Sequence, residues 1–142
     1  MPLGQTVPAL PVASIRDAVP YWTTRFGFTC VHQDDEGFAV VVRDAAEIHL
    51  WQAGDETWRG RAATDLLDGP VRSGAESFIA GTASCRIALE SVAAVDALYA
   101  ELAAAGVLHP TDRGGAVGTD HGTHEFATLD GDGNLLTFFH RA

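Results

Sequence analysis

The sequence predicts an α+β fold built from two βαβββ modules, on three observations. The order strand, helix, three strands occurs twice, offset by about 80 residues. Each helix candidate is bracketed by a capping residue and a glycine. Apolar runs of strand length are separated by clusters of turn-forming residues. A chain of 142 residues with 46% hydrophobic content suits a single domain of two tightly packed halves with a real core. The modules are expected at about 1–55 and 81–142, with a loop over about 56–80 between them.

In the first module "TVPALPV" is an extended start, and Pro8 and Pro11 argue for an edge or a bulge. Asp17 is the expected N-cap of a short amphipathic helix, with Pro20 in its first turn and Gly27 as its stop. "FTCVHQ", "GFAVVVR" and "AEIHLWQ" follow as strands, separated by "DDEG" and "DA". In the second module "TASCRIAL" is a strand. "SVAAVDALYAELAAAG" is a helix capped by Ser91, stopped by Gly106, and apolar along Val92, Val95, Leu98 and Leu102. "VLHP", "THEFATL" and "NLLTFFH" are the remaining strands, while the glycine-rich "RGGAVG" reads as a flexible connection. The middle segment, rich in Gly, Asp and Arg, is of a length that is usually functional or partly helical.

Between the last two strands "DGDGN" imitates the opening of a calcium loop. Such a loop needs glycine at its sixth position and glutamate at its twelfth, and here these are Leu135 and Arg141. The stretch is therefore turn chemistry.

Nineteen acidic against nine basic side chains give a formal charge of −10, which repels phosphate backbones and anionic lipid and attracts cations. Nucleic acid and membrane are poor partners for such a chain. The start "MPLGQTVPAL" lacks a basic n-region, and no apolar run approaches the roughly 20 residues of a membrane span. A cytoplasmic protein is the expectation. Cys30 and Cys85 lie outside any C-x-x-C spacing and read as reduced packing residues.

No nucleophile elbow, Walker loop or dinucleotide fingerprint is present, so no catalytic residue is assigned. In "HGTHE" the residue types suit a metal, but His121 and His124 are three apart and face opposite ways on a strand. His109 and His140, near element ends, read as surface residues. In "AEIHLWQ", Glu47, His49 and Trp51 share one face, and Ile48 and Leu50 the other. A face that mixes acid, imidazole and indole suits a cleft that stacks a planar heteroaromatic ligand, although Trp51 would serve equally as core.

The motifs "VPAL", "AVPYWTTRFGF", "GFAVVVRD", "IHLWQA", "SCRIAL…DALYAEL" and "HGTHEFATLDGDGNLLTFF", in this order, resemble the vicinal oxygen chelate superfamily and, within it, the bleomycin resistance proteins. The resemblance implies curved mixed sheets around a cleft and a homodimer with two clefts at the subunit interface. It implies a glycopeptide antibiotic as ligand, its flat bithiazole tail stacked on aromatic side chains, and resistance by sequestration rather than by chemical change. The superfamily's metalloenzymes carry ligands at positions that fall on Pro8, Ala83 or Ser84, and Thr137. Those residues supply almost no donors, so no metal site and no cofactor is expected, and a metal can arrive bound to the antibiotic.

Phe38 falls at a stacking position of the family and His32 at or beside another. His121 stands where the family has tryptophan, with Trp51 and Trp58 available as further aromatic surface and Gly122 and Thr123 as hydrogen-bonding neighbours. Asp34, Asp35, Glu36 and Glu47 surround these positions and would attract the antibiotic's cationic tail. The alternatives are a metal-dependent enzyme of the same superfamily, of the glyoxalase, dioxygenase or fosfomycin-modifying type, and a binding protein for another planar molecule.

Overall fold

A computed structural model describes residues 1–53, 74–76 and 78–141. The order is β1 (Ala9–Val12), α1 (Ile15–Thr24), β2 (Thr29–Gln33), β3 (Phe38–Arg43), β4 (Ala46–Gln52), then β5 (Ser84–Ala88), α2 (Val92–Ala105), β6 (Val117–Gly118), β7 (Thr123–Leu129) and β8 (Leu135–Arg141). The first sheet runs β1-β4-β3-β2 and the second β5-β8-β7-β6, each with one parallel pair, β1 with β4 and β5 with β8. The duplication expected from the sequence is therefore present strand for strand.

Pro11 sits on edge strand β1, where a missing ladder donor is tolerated. Helix α1 begins earlier than the sequence suggests. Its N-cap is Ser14, whose hydroxyl accepts from the Asp17 N–H at 3.4 Å, so Asp17 is the third helical residue and Pro20 lies inside the helix. The overlooked signal was the S-x-x-D spacing of Ser14 and Asp17. Pro20 cannot donate to the preceding turn, and its own carbonyl accepts from the hydroxyls of Thr23 and Thr24. Gly27 ends the helix in the left-handed region at φ 72°. Helix α2 matches its expected caps, with the Ser91 hydroxyl accepting from Ala94 N–H at 3.0 Å and Gly106 left-handed. Val95 and Leu102 are buried and Leu98 packs partly on the core, but Val92, in the first turn, is exposed.

Two further expectations change in the second module. "VLHP" forms only a bridge from Leu108 to Thr128, because Pro110 ends the ladder and the chain turns there. The fourth strand comes instead from "RGGAVG", whose Val117 and Gly118 pair with Glu125 and His124. His109 and His140 are half-buried rather than superficial. Nδ1 of His109 contacts Thr111 Oγ1, and that of His140 contacts the Leu89 carbonyl.

One continuous core joins the modules. Leu10, Val12, Val41, Ile48 and Leu50 of the first sheet meet Trp22 and Phe26 of the first module's helical region, and Val95, Leu102, Phe126, Leu136 and Phe138 of the second. Cys30 and Cys85 are free thiols packed at its margin, and burial pushes the Cys85 thiol up to about 11. Polar clasps close both ends of the joint. At one, the Arg43 guanidinium donates to both Glu101 oxygens, at 2.7 and 3.0 Å. At the other, the buried Asn134 side chain donates to the Pro11 carbonyl at 2.9 Å and accepts from Ala83 N–H at 3.0 Å, while Asp132 accepts from Ala13 N–H at 2.8 Å. The DGDGN stretch is thus the expected hairpin turn and also the joint between the modules.

Candidate functional site: two open sheet faces

With α1 and α2 covering the inner faces, the other face of each sheet is left open. On β4 the alternation holds as expected: Ile48 and Leu50 are buried in the core, and Glu47, His49 and Trp51 point away from it. Register brings partners onto that open face, since Phe38 pairs with Trp51 and Val40 with His49. His32 arrives there by an irregularity. Cys30 pairs with Val41 but His32 pairs with Val40, so a bulge at Val31 turns the imidazole to the open side that strict alternation would deny it.

The result is a continuous run of rings. Phe38 lies 5.6 Å from His32, 5.2 Å from His49 and 4.4 Å from Trp51, centroid to centroid. His49 Nε2 stands 2.9 Å from Glu47 Oε2, and His32 Nε2 stands 3.7 Å from Asp34 Oδ2. Asp34 also closes the turn before Phe38, accepting from the N–H groups of Glu36 and Phe38. The structure thus assembles His32, Phe38, Glu47, His49 and Trp51 on one surface. Gly74 stands against the Trp51 indole so closely that a Cβ there would collide with it. The indole nitrogen is buried and has no hydrogen-bond partner among the described residues. Trp51 is therefore a packed wall of the cluster; Phe38 is half-buried beside it, and His32 is the exposed member. Trp58 lies outside the described residues.

His121, Gly122 and Thr123 sit on the second module, at the start of β7. Gly122 adopts φ 86° and donates to the Thr119 carbonyl, which engages its N–H inside the turn. The Thr123 hydroxyl faces Thr119 and Glu125. His121 Nε2 is 3.3 Å from Glu125 Oε1, whereas His124 Nε2 is 2.8 Å from Asp96 of α2 on the opposite side. The two histidines diverge, but His121 lies in the turn before β7, so the expected strand alternation is not what separates them. Glu125 is the centre of this face. The Arg86 guanidinium donates to both its oxygens, at 2.9 and 3.4 Å. Together with the Thr123 hydroxyl it overcomes the cost of burial and pulls the Glu125 carboxyl down to about 2. Arg86 also lies over the Phe139 ring, 4.6 Å from its centroid.

Sequence reasoning missed the role of Arg86. The signal available was its place between Ser84 and Ala88 in an alternating strand, a cation facing away from the core. A groove of about 920 Å³ between the modules is lined by Glu47 from the first and Arg86 from the second, and the rings His32, Phe38, His49 and Trp51 lie outside it.

At the positions that the resemblance assigns to metal ligands, the structure shows other roles. The Pro8 carbonyl accepts from His49 N–H, and Thr137 is buried opposite Arg86 in the ladder. No imidazole or carboxylate stands at Pro8, Ala83, Ser84 or Thr137.

No protein-family model matches the chain. It is 45% identical over 135 residues to the bleomycin resistance protein of Geobacillus stearothermophilus, covering 95% of each chain. Among solved structures it superposes on a bleomycin resistance determinant encoded on the transposon Tn5 with TM-score 0.66 at 18% identity, covering 98% of both chains. It also superposes on the bleomycin-binding protein of bleomycin-producing Streptomyces verticillus, complexed with copper(II)-bleomycin, with TM-score 0.65 at 23% identity, covering 97% of this chain and 96% of the other.

Proposed function

The chain belongs to the bleomycin resistance protein family, and from that membership we propose that it binds and sequesters a bleomycin-type glycopeptide antibiotic without altering it. The observation that carries the reading is the run of rings His32, Phe38, His49 and Trp51 on an open sheet face edged by Glu47 and Asp34. Aromatic surface suits a flat heteroaromatic tail, and carboxylates in a chain of charge −10 suit a cationic end. Sequestration needs no nucleophile and no metal of the protein's own, so the protein acts without a cofactor, and any metal enters with the antibiotic.

In this reading the working unit is a homodimer in the cytoplasm, with two clefts at the subunit interface and neither nucleic acid nor membrane as partner. An open face on each module suits it, because each face can be covered by a second copy. Among the described residues, no helix is long and apolar enough to cross a membrane.

Calorimetric titration with bleomycin, with and without copper, tests the proposal. The expected result is about two ligands bound per dimer and affinity about tenfold or more weaker for Phe38→Ala, the order of loss for a buried aromatic contact. Wild-type affinity in Phe38→Ala would remove the stacking assignment. Tightly held stoichiometric metal in the purified protein would return the enzyme reading.

A further inference from the structure

Arg86 has a geometry that charge neutralisation alone does not require. Both terminal nitrogens of its guanidinium donate to Glu125, and the group is backed by the Phe139 ring at 4.6 Å, while the side chain remains 45% exposed. A guanidinium fixed in this way is a flat surface with one covered side and one open side. Planar guanidinium groups stack on aromatic systems, and one whose rotamer is already locked loses little entropy on doing so. The Glu125 carboxylate cancels its charge, so a cationic ligand is not repelled.

The imidazole of His121 is anchored to the same Glu125, and the Thr123 hydroxyl contacts both. The second module therefore presents a flat polar platform where the first presents rings. Of these residues Arg86 also lines the groove that Glu47 lines from the first module, so its guanidinium is reachable from the space the two modules share.

We propose that Arg86, held flat by Glu125 and Phe139, is a specificity-determining contact that stacks on a planar heteroaromatic group of the ligand. This rests on the functional reading above in taking that group to be the antibiotic's bithiazole. The roles differ within the cluster: Arg86 touches ligand, whereas Glu125 and Phe139 are positioning residues.

The test is calorimetric titration of wild type, Arg86→Lys and Arg86→Gln with two probes, bleomycin and a bithiazole carboxamide, at low and high salt. Both variants are expected to bind both probes about tenfold more weakly; Arg86→Lys, which keeps a charge beside Glu125, should melt near wild type, and Arg86→Gln below it. The loss in Arg86→Lys should be the same at both salt concentrations, because lysine keeps the charge and discards the plane. Arg86→Lys binding within about twofold of wild type overturns the inference. So does a loss that vanishes at high salt, which would make Arg86 a charge contact. Wild type that binds the bithiazole through Arg86 but not bleomycin overturns the functional reading and leaves this inference standing. Wild type that binds neither overturns both.

Discussion

On the open face of the first module, β3 and β4 carry Phe38, His49 and Trp51, and His32 joins them from β2. On the corresponding strands of the second module the open face carries Glu125, Phe139 and the buried Thr137, with Arg86 beside them on β5. Strand order and pairing sense are the same in both sheets. The inner faces are alike as well, apolar residues under a capped helix. Duplication therefore preserved what the core demands and left the outward positions free to diverge, because an outward residue can change without leaving a cavity. One face became a run of rings and the other an ion pair laid on a ring.

The contrast between the faces depends on the modules being held in fixed relation, so the largest effect is expected at the joint. Asn134→Ala removes a donor to Pro11 and an acceptor for Ala83, both inside the protein. It should cost about 3 kcal/mol, the sum of two orphaned partners and a lost turn, measured by urea unfolding. A loss below about 1 kcal/mol would show that the core alone fixes the joint.

Gly74→Val tests whether the first face is a packed wall. A side chain at Gly74 must displace Trp51, so stability should fall by about 2 kcal/mol and tryptophan emission should shift. Unchanged emission would mean that the ring yields without cost.

The second face should announce itself in acid. Glu125 holds its proton less tightly in the folded chain, at about 2 against 4.5 for the free side chain. Its stabilisation is complete above about pH 4.5 and disappears as pH falls toward 2. Replacing Arg86 with Gln removes the main cause of that depression, so the stability-pH curve should flatten in this window. An unchanged curve in the variant would detach Glu125 from Arg86.

The smallest difference concerns the helix caps. Ser91→Ala should cost about 1 kcal/mol, and Ser14→Ala less, because the Ser14 bond is longer, at 3.4 against 3.0 Å. Thermal melts of the two variants measure it, and equal losses would make cap length irrelevant here.

Much of this was legible before any coordinates. The repeat, the alternation over Glu47 to Trp51 and the edge position of Pro11 all follow from residue periods and from what proline and glycine permit. Local chemistry misled where two signals competed. Asp and Ser are both N-cap residue types, and only the helix's packing decides that Ser14 rather than Asp17 takes the cap. "VLHP" and "AVG" are both weak strands, and the turn that Pro110 imposes decides between them.

The sequence by itself determined the fold, because alternation, capping and turn chemistry act over a few residues and were repeated twice. It also determined the outward placement of Glu47, His49 and Trp51. Tertiary structure alone decided that a bulge at Val31 brings His32 to Phe38, that Gly74 closes on Trp51, that Asn134 reaches Pro11, and that Arg86 meets Glu125 and Phe139. These contacts join residues that are far apart in the chain, or depend on one inserted residue of register. Neither leaves a mark in a local pattern.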